Sequence, residues 1–143
     1  MIEGIRHTGI VVNNLQKASE FYLALGFKIQ AKANEEGKFI EKVTGFKNVN
    51  IEWIKMVLND GNLLELIQYN NPKKEKKLNK QPPNQIGVSH IAFNVNNIES
   101  FCKNIVSLGG SIINEPAITN NKQFKVAYCH DIEGNLLEVV ETQ

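Results

Sequence analysis

The chain has 143 residues and a mass of 16.1 kDa, and its 16 basic and 15 acidic side chains leave a formal net charge of +1. A content of 42% hydrophobic and 22% charged residues is typical of a globular protein and excludes a disordered or fibrous chain. The small net charge argues against nucleic acid as a partner, and no apolar run or leader indicates membrane insertion or secretion, so we expect a cytoplasmic protein.

The first half of the chain predicts a β-α-β-β-β module. A helix is predicted over residues 15–25, because apolar side chains recur at helical spacing and Gly26 follows as a C-cap. Residues 39–50 are expected to form a loop or short helix that lines a pocket, with Phe46 as a candidate apolar wall. The four strands are predicted over residues 5–12, 27–33, 51–58 and 62–69.

The second half predicts the same order of elements. A lysine- and proline-rich segment, residues 71–85, is interpreted as a solvated linker in front of it. The helix of this half carries Cys102 on its apolar face, and Cys102 and Cys129 are interpreted as reduced core residues. His130 is expected to be exposed before a turn. The strands are predicted over residues 88–95, near 112, over 124–130 and over 135–141.

The two halves repeat one another in sequence. GIRHTGIVVNN in the first half lies over GVSHIAFNVNN in the second, so that His7 corresponds to His90. The pentapeptide that ends in Glu65 is identical to the pentapeptide that ends in Glu138. Agreement at corresponding places predicts a duplicated module, with copies over residues 1–70 and 86–143.

The repeated histidines and glutamates are candidate metal ligands. His7 and His90 stand on the first strand of each copy beside small residues, so that both imidazoles face open space. Glu65 and Glu138 have aliphatic neighbours, and an unpaired buried carboxylate costs on the order of several kcal/mol. An exposed edge strand or a partner cation would remove that cost, but the recurrence of both residue types favours a divalent metal ion. The candidate partner cations are Lys55 and Lys125.

Two modules that carry this His, Glu, His, Glu set resemble the vicinal oxygen chelate superfamily, which includes glyoxalase I, methylmalonyl-CoA epimerase, extradiol dioxygenases and fosfomycin- or bleomycin-resistance proteins. The stretch His7-Thr8-Gly9-Ile10-Val11-Val12 is similar to the first-module pattern of glyoxalase I. The resemblance implies an α+β fold in which residues 5–141 form one glyoxalase-like domain with a curved, mostly antiparallel eight-stranded sheet. It also implies that His7, Glu65, His90 and Glu138 are the metal ligands, and these donor types suit Ni²⁺, Zn²⁺, Co²⁺, Fe²⁺ or Mn²⁺.

The resemblance to glyoxalase I extends to all four ligand positions. It implies a lyase or isomerase that moves a proton between adjacent carbons of a hemithioacetal-type small molecule through a metal-bound enediolate. Glu138 is the first candidate for the base and Glu65 the second. The alternatives are an epimerase-like racemase, an extradiol dioxygenase and a non-catalytic antibiotic-binding protein. A homodimer is expected because a second subunit would cover the apolar sheet edge of so small a module. The metal site can be formed within one chain or between two chains, and both arrangements are left as alternatives.

Overall fold

A computed structural model of the chain describes residues 1–74 and 79–143, which fall into two compact units, Met1–Lys76 and Lys77–Gln143. Each unit contains one copy of the repeated module. The described residues form three helices and nine strands, which confirms the α+β class. None of these helices has the length and apolar character needed to cross a bilayer.

The first unit follows the predicted order of elements, and the segment expected to be a loop or short helix contains a short helix. Its strands are ordered β1-β4-β3-β2, with β1 parallel to β4 and the other neighbours antiparallel. The elements are β1 (Thr8–Val11), α1 (Leu15–Ala24), β2 (Lys28–Glu36), α2 (Lys38–Thr44), β3 (Asn50–Val57) and β4 (Leu63–Asn71).

The sheet of the first unit is covered on both faces. Met56 and Leu66 point towards α1, where Tyr22 is fully buried. The other face packs against Ile40 of α2 and the neighbouring Val49. Because side chains alternate along a strand, Glu65 lies on this second face of the sheet.

The second unit repeats the architecture with one additional strand. Its strands are ordered β5-β9-β8-β6, with β7 paired to β8 and β5 parallel to β9. The elements are β5 (Ile91–Asn94), α3 (Ile98–Ser107), β6 (Ser111–Ile112), β7 (Ala117–Ile118), β8 (Phe124–His130) and β9 (Leu136–Thr142).

The prediction of one eight-stranded sheet is wrong, because the described strands form a four-stranded and a five-stranded sheet. The hydrogen-bonded ladder ends at β1 in one unit and at β5 in the other, and each of these strands pairs with a single described neighbour. The unpredicted β7 has two residues, which is too short for an alternating pattern to appear in the sequence.

The repeat preserves the start of both main helices. The side chain of Asn14 accepts a hydrogen bond from the Lys17 N–H at the start of α1, and Asn97 accepts one from the Ser100 N–H at the start of α3. Asparagine is a favoured N-cap because its side-chain oxygen satisfies an amide that the helix leaves unpaired. The second asparagine of each duplicated Asn-Asn pair therefore has a structural role as a helix N-cap.

The expectation that His130 is exposed is wrong. Its side chain is 5% exposed, with Nε2 2.9 Å from the carbonyl oxygen of Gln81 and Nδ1 3.3 Å from the hydroxyl of Ser111. Gln81 comes from the predicted linker, 49 residues earlier in the chain, so the sequence around His130 does not show that Gln81 contacts this side chain. Within that linker, Lys76 and Lys77 lie outside the described residues.

Both cysteines are free and buried, as expected for reduced core residues. Burial raises the pKa of the Cys129 thiol to about 12, with smaller contributions from the nearby charges of Cys102 and Asp131. Cys129 is therefore a neutral, unreactive thiol at ordinary pH.

Candidate metal centre

The sheet registers place the repeated residues in the same way in both units. Glu65 on β4 lies opposite Gly9 of the parallel strand β1, and His7 stands two residues before Gly9. Glu138 on β9 lies opposite Ala92 of the parallel strand β5, and His90 again stands two residues earlier. Duplication of the sequence therefore duplicates the geometry.

Each unit brings its own histidine and glutamate into contact. The distance between Nε2 of His7 and Oε2 of Glu65 is 3.0 Å, and the distance between Nε2 of His90 and Oε2 of Glu138 is also 3.0 Å. The side chains of Glu65 and Glu138 are 13% and 23% exposed. Both carboxylates are therefore partly shielded from water.

Neither glutamate lies on an edge strand. β4 is flanked by β1 and β3, and β9 is flanked by β5 and β8. The alternative in which an edge strand leaves each carboxylate in water is therefore wrong. Partial shielding from water favours a cation or a hydrogen-bond donor beside the carboxylate at both positions.

In the first unit, Lys55 is a second partner of the glutamate. Lys55 lies opposite Glu65 across β3 and β4, and its Nζ is 3.3 Å from Oε1 of Glu65 and 4.7 Å from the centre of the Trp53 ring. The prediction of Lys55 as a partner cation is confirmed. The corresponding prediction for Lys125 is wrong, because Lys125 forms its ion pair with Glu99.

In the second unit, Tyr128 takes the place of the lysine. Tyr128 lies opposite Glu138 across β8 and β9, and its hydroxyl is hydrogen bonded to the carboxylate. Burial, followed by the charge and hydrogen bond of Glu138, raises the pKa of Tyr128, so the phenol stays protonated and donates. The ring of Tyr128 also packs edge-on against that of His90, with 5.3 Å between the centres.

Sequence reasoning missed Tyr128, although the repeat contained the signal. The offset of 73 residues that relates Glu65 to Glu138 also relates Lys55 to Tyr128. The two glutamates therefore follow identical tetrapeptides but have chemically different partners: a cation for Glu65 and a neutral hydroxyl for Glu138.

The donor atoms fit a divalent metal ion. Each pair holds a histidine nitrogen and a carboxylate oxygen 3.0 Å apart, and both donor types ligate borderline divalent ions. Ligating histidines commonly hold a second group on the other ring nitrogen. His90 fits this pattern, since its Nδ1 is 3.1 Å from the Ser89 hydroxyl, whereas the buried Nδ1 of His7 has no hydrogen-bond partner among the described residues.

Each pair contributes two donors to such a site. Among the described residues, no three His, Cys, Asp or Glu side chains form a group that could hold a metal ion. Two ligands leave most of the coordination positions of an ion unfilled.

Comparison with protein families gives a match over residues 4–139 to the Glyoxalase/Bleomycin resistance protein/Dioxygenase superfamily. The chain belongs to this superfamily, whose members are vicinal oxygen chelate proteins. No curated protein matches the chain.

Several solved structures share the fold. A glyoxalase family protein from Bacillus cereus has a TM-score of 0.90 and 24% identity, covering 99% of this chain and 95% of that one. A glyoxalase family protein from Enterococcus faecalis has a TM-score of 0.65 and 23% identity, covering 97% and 98%. The fosfomycin resistance protein FosX from Listeria monocytogenes, in complex with Mn(II) and sulfate, has a TM-score of 0.61 and 15% identity, covering 100% and 95%. Likeness at these identities is evidence for the fold alone.

Proposed function

We propose that the protein is a metal-dependent lyase or isomerase of the glyoxalase I type, with His7, Glu65, His90 and Glu138 as ligands of one divalent ion. The observation that carries the proposal is the duplicated contact of 3.0 Å between a histidine Nε2 and a glutamate oxygen on central strands. Membership of the superfamily supports metal chemistry, since FosX has been crystallised with Mn(II). Ni²⁺, Zn²⁺, Co²⁺, Fe²⁺ and Mn²⁺ all suit this donor set.

The proposed reaction moves a proton between adjacent carbons of a small molecule that bears two neighbouring oxygens. A bound divalent ion would supply Lewis-acid stabilisation of negative charge on those oxygens. Glu138 accepts the proton from the first carbon and returns it to the second, and Tyr128 orients the carboxylate by donating to it. Glu65 is the second candidate for the base, but its contact with the Lys55 ammonium restricts the movement of its carboxylate.

The matched substitutions Glu138→Gln and Glu65→Gln test the proposal. With methylglyoxal and a thiol as the hemithioacetal source, and Ni²⁺ or Zn²⁺ added, we expect E138Q to lose at least about a hundredfold in kcat, because a general base contributes at least that much. The amide oxygen of Gln remains a metal donor, so E138Q should retain most of its metal. E65Q should retain more activity than E138Q.

Unchanged turnover in E138Q would refute the assignment of the base. Metal-loaded protein that exchanges a proton into an acyl-thioester instead would indicate the epimerase-like reaction, and oxygen consumption with a catechol and Fe²⁺ would indicate the dioxygenase. Stoichiometric ligand binding by metal-free protein without turnover would indicate the antibiotic-binding class.

We also propose that the protein is a homodimer. β1 and β5 each have one described neighbour in their sheets, and the apolar side chains Ile5 and Val88 just before them are exposed. Sheet edges with adjacent apolar side chains are commonly covered by a second subunit. Light scattering on the purified protein is expected to give twice the chain mass of 16.1 kDa, and a monomeric mass would contradict the proposal.

A further inference from the structure

A cavity of about 280 Å³ lies in the first unit, where β1 and β4 end. Its apolar wall includes Val11, Phe46 and Tyr69, and the exposed side chains of Lys73 and Lys74 lie at its rim. The rings of Phe46 and Tyr69 pack edge to face with 6.2 Å between their centres, which gives the wall a defined shape. Phe46 is nevertheless 45% exposed, so its free face is available to a ligand.

The cavity lies on the same face of the sheet as the His7–Glu65 pair. Val11 is four residues beyond His7, and Tyr69 is four residues beyond Glu65, so alternation places each on the face of its partner. Four residues of strand span about 13 Å. The cavity and the candidate metal ligands are therefore two ends of one surface within the first unit.

The strand β1 leaves room beside it at Gly9, between these ends. Gly9 lies midway between His7 and Val11, and a Cβ atom added there would meet only the side chain of Ile67, at 3.8 Å. A ligand can therefore extend along the strand from the metal ligands to the cavity without meeting a side chain at position 9.

The chemistry of the cavity selects for a particular kind of small molecule. Its aromatic and aliphatic wall favours an apolar body, because removing apolar surface from water is favourable. Two ammonium groups at the rim favour an anionic substituent on that body, such as a carboxylate.

We propose that this cavity binds the apolar body of an anionic small molecule, with the anionic group paired to Lys73 and Lys74. Its further identification as the substrate-tail site rests on the proposed function. The substrate is then a molecule with two neighbouring oxygens at one end, an apolar part about 13 Å from the oxygens and an anionic group beyond the apolar part.

Calorimetry on metal-free protein tests the cavity by itself. It measures the binding of 2-naphthoate and of the neutral 2-naphthamide in the presence of a chelator. We expect K73A/K74A to weaken naphthoate binding about tenfold and naphthamide binding less than about twofold, because two partly exposed ion pairs are lost. The control K17A/K103A removes the same charge from α1 and α3 and should change neither. Equal naphthoate affinity in the two double variants would overturn the proposal.

The apolar wall is tested by a matched pair of phenylalanine substitutions. F46A should weaken both naphthyl probes about tenfold, because it removes an aromatic contact. F39A removes a residue that is 72% exposed on α2 and does not line the cavity, and it should change neither probe. Loss of binding in F39A but not in F46A would overturn the location.

Failure of the proposed function and failure of this inference give different results. If metal-loaded protein has no isomerase activity but naphthoate binding depends on the two rim lysines, the result supports the proposed cavity site and refutes the proposed reaction. If the protein is an active isomerase and naphthoate inhibits it competitively in the wild type but about tenfold more weakly in K73A/K74A, the substrate-tail assignment is supported. Non-competitive inhibition would overturn that assignment.

Discussion

The substitution Lys55→Met separates the stabilising role of the lysine from that of a metal ion at the same carboxylate. Methionine keeps the length of the side chain and removes its charge. Lys55 Nζ is 3.3 Å from Glu65 Oε1, which corresponds to a gross attraction of about 5 kcal/mol at an effective dielectric constant of about 20. Desolvation of the two groups offsets most of this attraction, and their partial burial leaves a net cost of about 2 kcal/mol when the lysine is removed.

A bound metal ion should remove most of that cost. If Glu65 is a ligand, the cation compensates its charge, and the loss of Lys55 should then lower the free energy of unfolding by less than about 1 kcal/mol. Urea unfolding of wild type and K55M, with a chelator and with saturating Ni²⁺ or Zn²⁺, measures both values. The control K125M removes an ion pair with the exposed Glu99 and should cost about 0.5 kcal/mol in both conditions.

An equal loss of stability in K55M with and without metal would refute the assignment of Glu65 as a ligand. A K55M variant that is as stable as wild type in the chelator would refute the premise that the shielded carboxylate depends on its cation.

Three further predictions concern the second unit. Q81A should lower the free energy of unfolding by about 2 kcal/mol in chemical denaturation, because the Gln81 side chain bonds three backbone groups, and an unchanged value would contradict this. G110A should cost about 2–3 kcal/mol, since an added Cβ would lie 2.5 Å from the carbonyl oxygen of His130, while G4A, where nothing lies within 4 Å, should be neutral. Folding stability should fall above pH 9, because the unfolded Cys129 thiol ionises near its ordinary pKa of 9.0 whereas the folded thiol holds its proton to about 12. The difference between wild type and C129A should change by about 1.4 kcal/mol per pH unit in that range, and a pH-independent difference would contradict it.

The sequence predicts the fold of each copy because the determining signals are local. The Asn caps, the glycine after α1 and the alternation of the strands all act over a few residues, so the range 124–130 predicted for β8 coincides with the observed strand. The repeat then identifies the candidate site, because His7 and Glu65 recur together as His90 and Glu138.

The features that sequence reasoning missed depend on contacts between distant segments. The burial of His130 requires Gln81, and the choice of Glu99 over Glu138 as the partner of Lys125 follows from the register of β8 against β9. Glu138 lies opposite Tyr128, three residues from Lys125, so alternation places Lys125 on the other face of the sheet from Glu138. Composition does not determine which residue of β8 lies opposite Glu138.

Quantitative elemental analysis of the metal-reconstituted protein, alongside H7A and H90A, tests the central claim most directly. If His7, Glu65, His90 and Glu138 hold one divalent ion, the wild type will contain one ion per chain and either substitution will abolish stoichiometric binding. One ion per chain retained in either variant, or two independent ions per chain in the wild type, would contradict the four-ligand site.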